Sequence, residues 1–178
     1  MRTRATNRGF SFVETLIGIA ILLTGISMPL ILVYRSLEAT SVARDQIVAS
    51  YLAEEGVEYI RYIRDSNVLG GNSWLFRILP ICNNSGTPCE IRDITNRYSN
   101  PQLKNCGGAT CNPVKYNTAT GLFGNAGSET TVFTRAILVV ETVPNREAKV
   151  QVTVSWQPKN GPLRTTTLEE RIFNWTGL

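Results

Sequence analysis

From Thr15 to Tyr34 the chain places twenty residues without a charge directly behind a single carboxylate, Glu14. At about 1.5 Å per residue such a run makes a helix of roughly 30 Å, which is the hydrocarbon thickness of a bilayer. Composition and length together predict a membrane-spanning helix. A carboxylate at bilayer depth costs about 2.5–3.5 kcal/mol on insertion scales, so Glu14 calls for a physical reason to be there.

The charges are unevenly spread. Residues 1–9 carry Arg2, Arg4 and Arg8 and no acid, residues 10–65 carry four basic and seven acidic side chains, and residues 66–178 carry eleven and seven. The high sequence pI therefore owes much to a short basic tip. Positive charge ahead of an apolar span keeps that end cytoplasmic and sends the remainder outward, so everything after Tyr34 is expected in an extracytoplasmic space. The four cysteines, Cys82, Cys89, Cys106 and Cys111, all fall in that part. They fit an oxidising compartment. The chain has no histidine, which removes the usual general base and the usual metal ligand.

Behind the span, Arg35 to Arg64 keeps a helical period. Val48, Leu52, Tyr59, Ile60 and Ile63 form its stripe, Ile47 and Tyr51 widen it, and the charges lie mostly off it. Glu58 with Arg61, or Arg61 with Asp65, can pair one turn apart. No strong stop separates the two stretches, so the expectation is one helix from about Phe10 to Arg64: residues 10–34 in lipid, and an amphipathic half, 35–65, packed on a head.

Residues 66–130 read as loop-rich, with pieces such as NVLGGNS, CNNSGTPC and KNCGGATCNP built from turn residues. Short elements are expected around Trp74–Leu79 and Ile91–Arg97. Pairing of near neighbours, Cys82 with Cys89 and Cys106 with Cys111, is the choice made among three connectivities, with each closure worth about 2–2.5 kcal/mol on the chain-entropy model. The cysteine spacings are not the paired two-residue gaps of a zinc ribbon, so no metal is expected. Residues 131–178 then read as an antiparallel β-meander of three strands. In the middle strand Val150, Val152, Val154 and Trp156 face one way, and Gln151, Thr153 and Ser155 the other. The expected fold class is α+β, a long N-terminal helix packed on a small antiparallel sheet with a disulfide-bearing loop region between them.

A cleaved secretory signal would have a shorter apolar core and a small-x-small site directly after it; here that pattern waits until Ser41-Val42-Ala43. A plain single-pass anchor accounts for length and orientation but not for Glu14. RGFSFVE followed by TLIGIAIL, by contrast, closely resembles the signature of type IV pilins and pseudopilins: a basic leader, a glycine, an aromatic residue, and a glutamate four residues beyond it. The resemblance implies cleavage by a prepilin peptidase after Gly9, N-methylation of the new terminus Phe10, and a Glu14 that meets the terminal ammonium of a neighbouring subunit. It also implies an inner-membrane assembly platform as partner, and a subunit that is a membrane protein before assembly and part of a surface filament after it. YLAEEGVEYIRYIRDSN and VQVTVSW…NW look most like the PilV-like and type II secretion I-type minor branch. Pro29 departs from the family pattern, where a proline often falls near the position of Ile31. Gly25 and Pro29 together are expected to kink the membrane helix and, as the resemblance implies, to lose regular helix on assembly.

The expected function is a filament subunit, minor rather than major, with a type II secretion pseudopilin sharing all the same chemistry. A tip module that adheres to surfaces or to nucleic acid is the rival from another class, resting on the basic head with Trp74 and Trp156; eleven bases among seven acids is also an ordinary solvated surface. An enzyme is not expected. Nucleophilic pairs with histidine are ruled out, no phosphate loop or dinucleotide fingerprint is present, and the neighbouring Glu169 and Glu170 would point to opposite faces of a strand. No cofactor is expected.

Overall fold

The computed structural model describes residues 9, 11–83, 86–92, 102–124, 127–158 and 161–175. The leader arginines, Phe10, the part of the expected Ile91–Arg97 element beyond Arg92, and turn residues Lys159 and Asn160 lie outside the described residues. The chain divides into two compact units, Met1–Arg44 and Asp45–Leu178.

Helix α1 runs over Phe12–Leu69. Its portion in the first unit is apolar, long enough to cross a membrane, and buries none of its spanning window. The helix continues through Pro29. Proline there has no N–H for the carbonyl of Gly25, and nothing lies within 4 Å of where a Gly25 side chain would start. Hydroxyls along this stretch are returned to the helix itself: Thr15 Oγ1 donates to the Phe12 carbonyl at 2.7 Å, Thr24 Oγ1 to those of Ala20 and Ile21 at 3.0 Å, and Ser27 Oγ to that of Leu23 at 2.6 Å. In lipid this leaves those donors satisfied without a partner helix.

In the second unit α1 ends five residues beyond the expected Arg64. Its last turn closes on glycines: Gly71 at φ 72° donates from its N–H to the Val68 carbonyl, and the Asn72 N–H reaches the Asn67 carbonyl. These two bonds make a Schellman cap, with glycine at the left-handed position that other residues reach only with strain.

A seven-stranded antiparallel sheet packs on the second part of α1. Its strands are β1 (Cys89–Ile91), β2 (Leu103–Asn105), β3 (Pro113–Asn117), β4 (Leu122–Gly124), β5 (Glu129–Val143), β6 (Glu147–Trp156) and β7 (Arg164–Phe173); a short helix α2 spans Leu79–Cys82. The three long strands are the expected meander. β5 meets β6 from Phe133 opposite Trp156 to Val143 opposite Glu147, and β6 meets β7 from Glu147 opposite Phe173 to Trp156 opposite Arg164. The other edge of β5 carries β1–β2 through Cys89 opposite Ile137, and β3–β4 through Pro113 opposite Thr134. Burial alternates strictly along β6, with Val150, Val152, Val154 and Trp156 on the buried side as expected.

The loop region carries more regular structure than its composition announces. It supplies α2 and four short strands, and Trp74, Leu75, Ile78, Ile91, Leu103 and Val114 join the same core as α1 and the meander. Both disulfides pair neighbours, Cys82 with Cys89 and Cys106 with Cys111. The first ties α2 to β1; the second closes the turn between β2 and β3.

The helix face against the sheet keeps the hydropathy stripe, with Leu52, Tyr59, Ile60 and Ile63 buried and Val48 packed beside them, but not its widening. Ala49, Leu52, Ala53, Gly56, Val57, Tyr59, Ile60 and Ile63 are buried, whereas Ile47 and Tyr51 are 57% and 67% exposed. Small side chains set the contact. A Cβ added to Gly56 would lie 2.9 Å from Val152 Cγ1, so helix and strand touch nearly backbone to side chain. Polar ties fix the helix at its flanks. Arg135, on β5 and 2% exposed, donates from Nη1 to the Leu52 carbonyl at 3.2 Å and to Glu55 Oε2 at 2.6 Å. Arg61 pairs with Glu58 one turn back and with Glu170 on β7. The hydrogen bond to Glu170 is the main cause that raises the Arg61 pKa above its ordinary value, against a smaller opposing effect of burial. Asp65 pairs with Arg64 rather than Arg61.

Candidate assembly site

The residues singled out for assembly cluster at the start of α1. Ser11 precedes the helix, and its carbonyl accepts the N–H groups of Glu14 at 3.0 Å and Thr15 at 3.2 Å. Glu14 thus sits in the first helical turn, at the third position after Ser11, where an acid meets the positive end of the helix macrodipole. Its side chain is exposed, and it has no ion pair among the described residues. Gly9 is exposed, with nothing near its Cα that a side chain would meet. Phe10, the expected new terminus, lies outside the described residues.

Two effects compete to explain Glu14. A carboxylate in the first turn gains about 0.3–1 kcal/mol from the macrodipole. Its transfer to bilayer depth costs about 2.5–3.5 kcal/mol. At the centre of a bilayer the macrodipole alone would offset only part of that cost. The S-x-x-E spacing of Ser11 and Glu14 is a helix-start signal that a reading centred on the charge alone passes over.

The apolar surface from Phe12 onward is the other half of the site. Leu16, Ile19, Leu23, Ile26, Leu30 and Leu37 are all exposed. Such a surface is far larger than soluble monomers carry and needs lipid or protein around it.

The loop cysteines and the acids of the sheet belong to the second unit. The Glu90 carboxylate comes within 4.8 Å of the sulfurs of Cys106 and Cys111, but those sulfurs are bonded to each other. Glu90 is buried and instead holds the next residue of that turn, accepting the Asn112 N–H at 2.9 Å and its Nδ2 at 3.0 Å. Glu169 and Glu170 point to opposite faces, the first to Lys149 and the second to Arg61. Trp74 and Trp156, considered for nucleic-acid contact, are both 3% exposed and sit in the core. No protein-family model, curated protein or solved structure matches the chain.

Proposed function

We propose that the chain is a structural subunit, of the minor kind, of a type IV pilus-like filament. The observation that carries this reading is Glu14: an exposed carboxylate in the first turn of an apolar helix, without an ion-pair partner among the described residues, behind the residues RGFSF. The leader arginines hold the precursor's N-terminus in the cytoplasm and the head crosses to the oxidising side, where its two disulfides form. A prepilin peptidase cuts after Gly9, and the amine of Phe10 is methylated. During assembly on an inner-membrane platform the apolar helices pack together. Each subunit then brings one cation and one anion to the same end of its helix. Either charge alone would be stranded in an apolar core; paired in trans, both are neutralised and the axial register of neighbours is fixed. The Gly25–Pro29 segment, already short of one backbone hydrogen bond, lengthens when neighbouring helices replace lipid around it.

The test begins with the intact mass of filament-associated protein, expected to lack residues 1–9. Glu14→Ala should insert and fold, because insertion gains from losing a charge, yet fail to enter filaments; Glu14→Gln separates charge from shape. Assembled material that keeps Met1, or normal incorporation of both variants, would defeat the proposal.

A further inference from the structure

Among the described residues the sheet ends in three edges: β2 and β4, of three residues each, and β7, of ten. Very short edges are one way a sheet avoids recruiting another chain; an edge of ten residues is long enough to recruit one. Along an antiparallel strand successive residues turn their N–H and C=O groups to opposite sides. β6 takes one set over the whole register from Arg164 to Phe173, without a bulge. The other set meets no strand and no loop among the described residues. The remaining protective devices are missing too. The sequence RTTTLEERIF holds no proline, glycine or lysine. Three of its four charges are neutralised within the molecule, Glu169 by Lys149, Glu170 by Arg61 and Arg171 by Glu147, so they do little to repel an approaching strand.

The side chains left over differ at the two ends of the strand. Arg164, opposite Trp156, is exposed and has no ion pair among the described residues. Phe173, and Trp175 just beyond the strand, are exposed aromatics. A row of alternating donors and acceptors roughly 34 Å long suits another extended backbone and no small ligand. A second copy's β7, laid antiparallel in full overlap, would set each Arg164 against a Phe173 and leave both cations without an acid. The short edges β2 and β4 of another copy could cover only part of it. We propose that β7 is a peptide-recognition edge that takes an extended segment of a partner protein as one further antiparallel strand. The segment carries an apolar residue at its N-terminal end, beside Phe173, and an acid at its C-terminal end, beside Arg164. Backbone hydrogen bonds supply the affinity and the two ends fix direction and register. The site does not depend on the filament reading.

The experiment is fluorescence anisotropy of a labelled synthetic peptide added to the full chain in lipid nanodiscs. The peptide matches β7 in length, with blocked termini, phenylalanine first, glutamate last, and threonine alternating with valine between them. A glutamate and a lysine replace its third and fifth residues, to lie beside Arg171 and Glu169. Saturable binding of one peptide per chain is expected. Methylating alternate backbone nitrogens gives two forms of the peptide. The form whose methyls face β7 should not bind, and the form whose methyls face solvent should bind like the parent. Arg164→Glu should weaken binding about fivefold with tryptophan fluorescence unchanged, and a peptide ending in lysine should recover it. Absence of saturable binding up to about 1 mM would overturn the proposal. So would equal binding of the two methylated forms, or an Arg164→Glu variant that keeps the parent's preference. Binding in discs that hold one copy but not in discs that hold two would assign the edge to a second copy, and would overturn it as well.

Discussion

Gly56→Ala measures how closely α1 approaches the sheet. In an open helix this change stabilises by about 1 kcal/mol, because alanine removes backbone freedom from the unfolded chain. Here the new methyl would sit 2.9 Å and 3.2 Å from the two Cγ atoms of Val152, and 3.5 Å from Cδ of Arg135. Val152 is β-branched and fully buried, so it cannot rotate away, and Arg135 is held at its far end by Leu52 and Glu55. Overpacking of this kind costs about 1–3 kcal/mol. The two terms leave a net loss of about 1 kcal/mol, opposite in sign to the propensity effect. Gly56→Val adds two more methyls and forgoes most of the propensity gain, so about 3 kcal/mol is expected. Val152→Ala alone loses roughly 2 kcal/mol of buried methyls. Combined with Gly56→Ala, however, it opens the space the new Cβ needs, and the pair should be less destabilised than the sum by about 1 kcal/mol or more. Urea unfolding of the full chain in micelles, followed by tryptophan fluorescence, gives all four values. If Gly56→Ala proves more stable than wild type and the cycle is additive, the helix does not rest on Val152 and the argument fails.

Three further outcomes are expected of the protein. Arg135 is 2% exposed but its partner Glu55 is 29% exposed, so Glu55→Ala strands a buried cation and should cost about 3–5 kcal/mol, whereas Arg135→Met leaves a carboxylate that reaches water and should cost less; equal losses would contradict the asymmetry. Non-reduced digests should give peptide links 82–89 and 106–111, and titration with a thiol reductant followed by alkylation should open Cys106–Cys111 before the fully buried Cys82–Cys89; the reverse order would show that burial does not govern access. Pro29→Ala restores the N–H that the Gly25 carbonyl lacks, worth about 3 kcal/mol in a helix interior, and should stiffen any filament it enters; a wild-type filament map with unbroken i→i−4 bonding on both sides of Pro29 and an unchanged rise would refute the lengthening of this segment.

What the residues determine unaided is whatever depends on local spacing. Twenty uncharged and mostly apolar residues make a helix long and apolar enough to cross a membrane, strict alternation from Val150 to Trp156 gives one buried strand face, and cysteines five and seven residues apart find each other first. Glu14 stands out for the same reason, as one charge set against an uncharged run.

What only the tertiary structure decided is which surfaces meet, and at what distance. Hydropathy widened the buried stripe to Ile47 and Tyr51 because they are large and apolar, but the sheet lies so close to α1 that Ala49, Ala53 and Gly56 take their place beside Leu52, Tyr59, Ile60 and Ile63. Short strands such as Cys89–Ile91 and Leu103–Asn105 are too brief to show a period; they are strands because β5 and the disulfides hold them in register. Arg135 reads as a surface residue in a strand until β5 is placed under the helix, where a backbone carbonyl and Glu55 make its burial tolerable. Among the described residues β7 is a free edge because the sheet ends with it. No spacing within its own residues says so; only the order of the strands does.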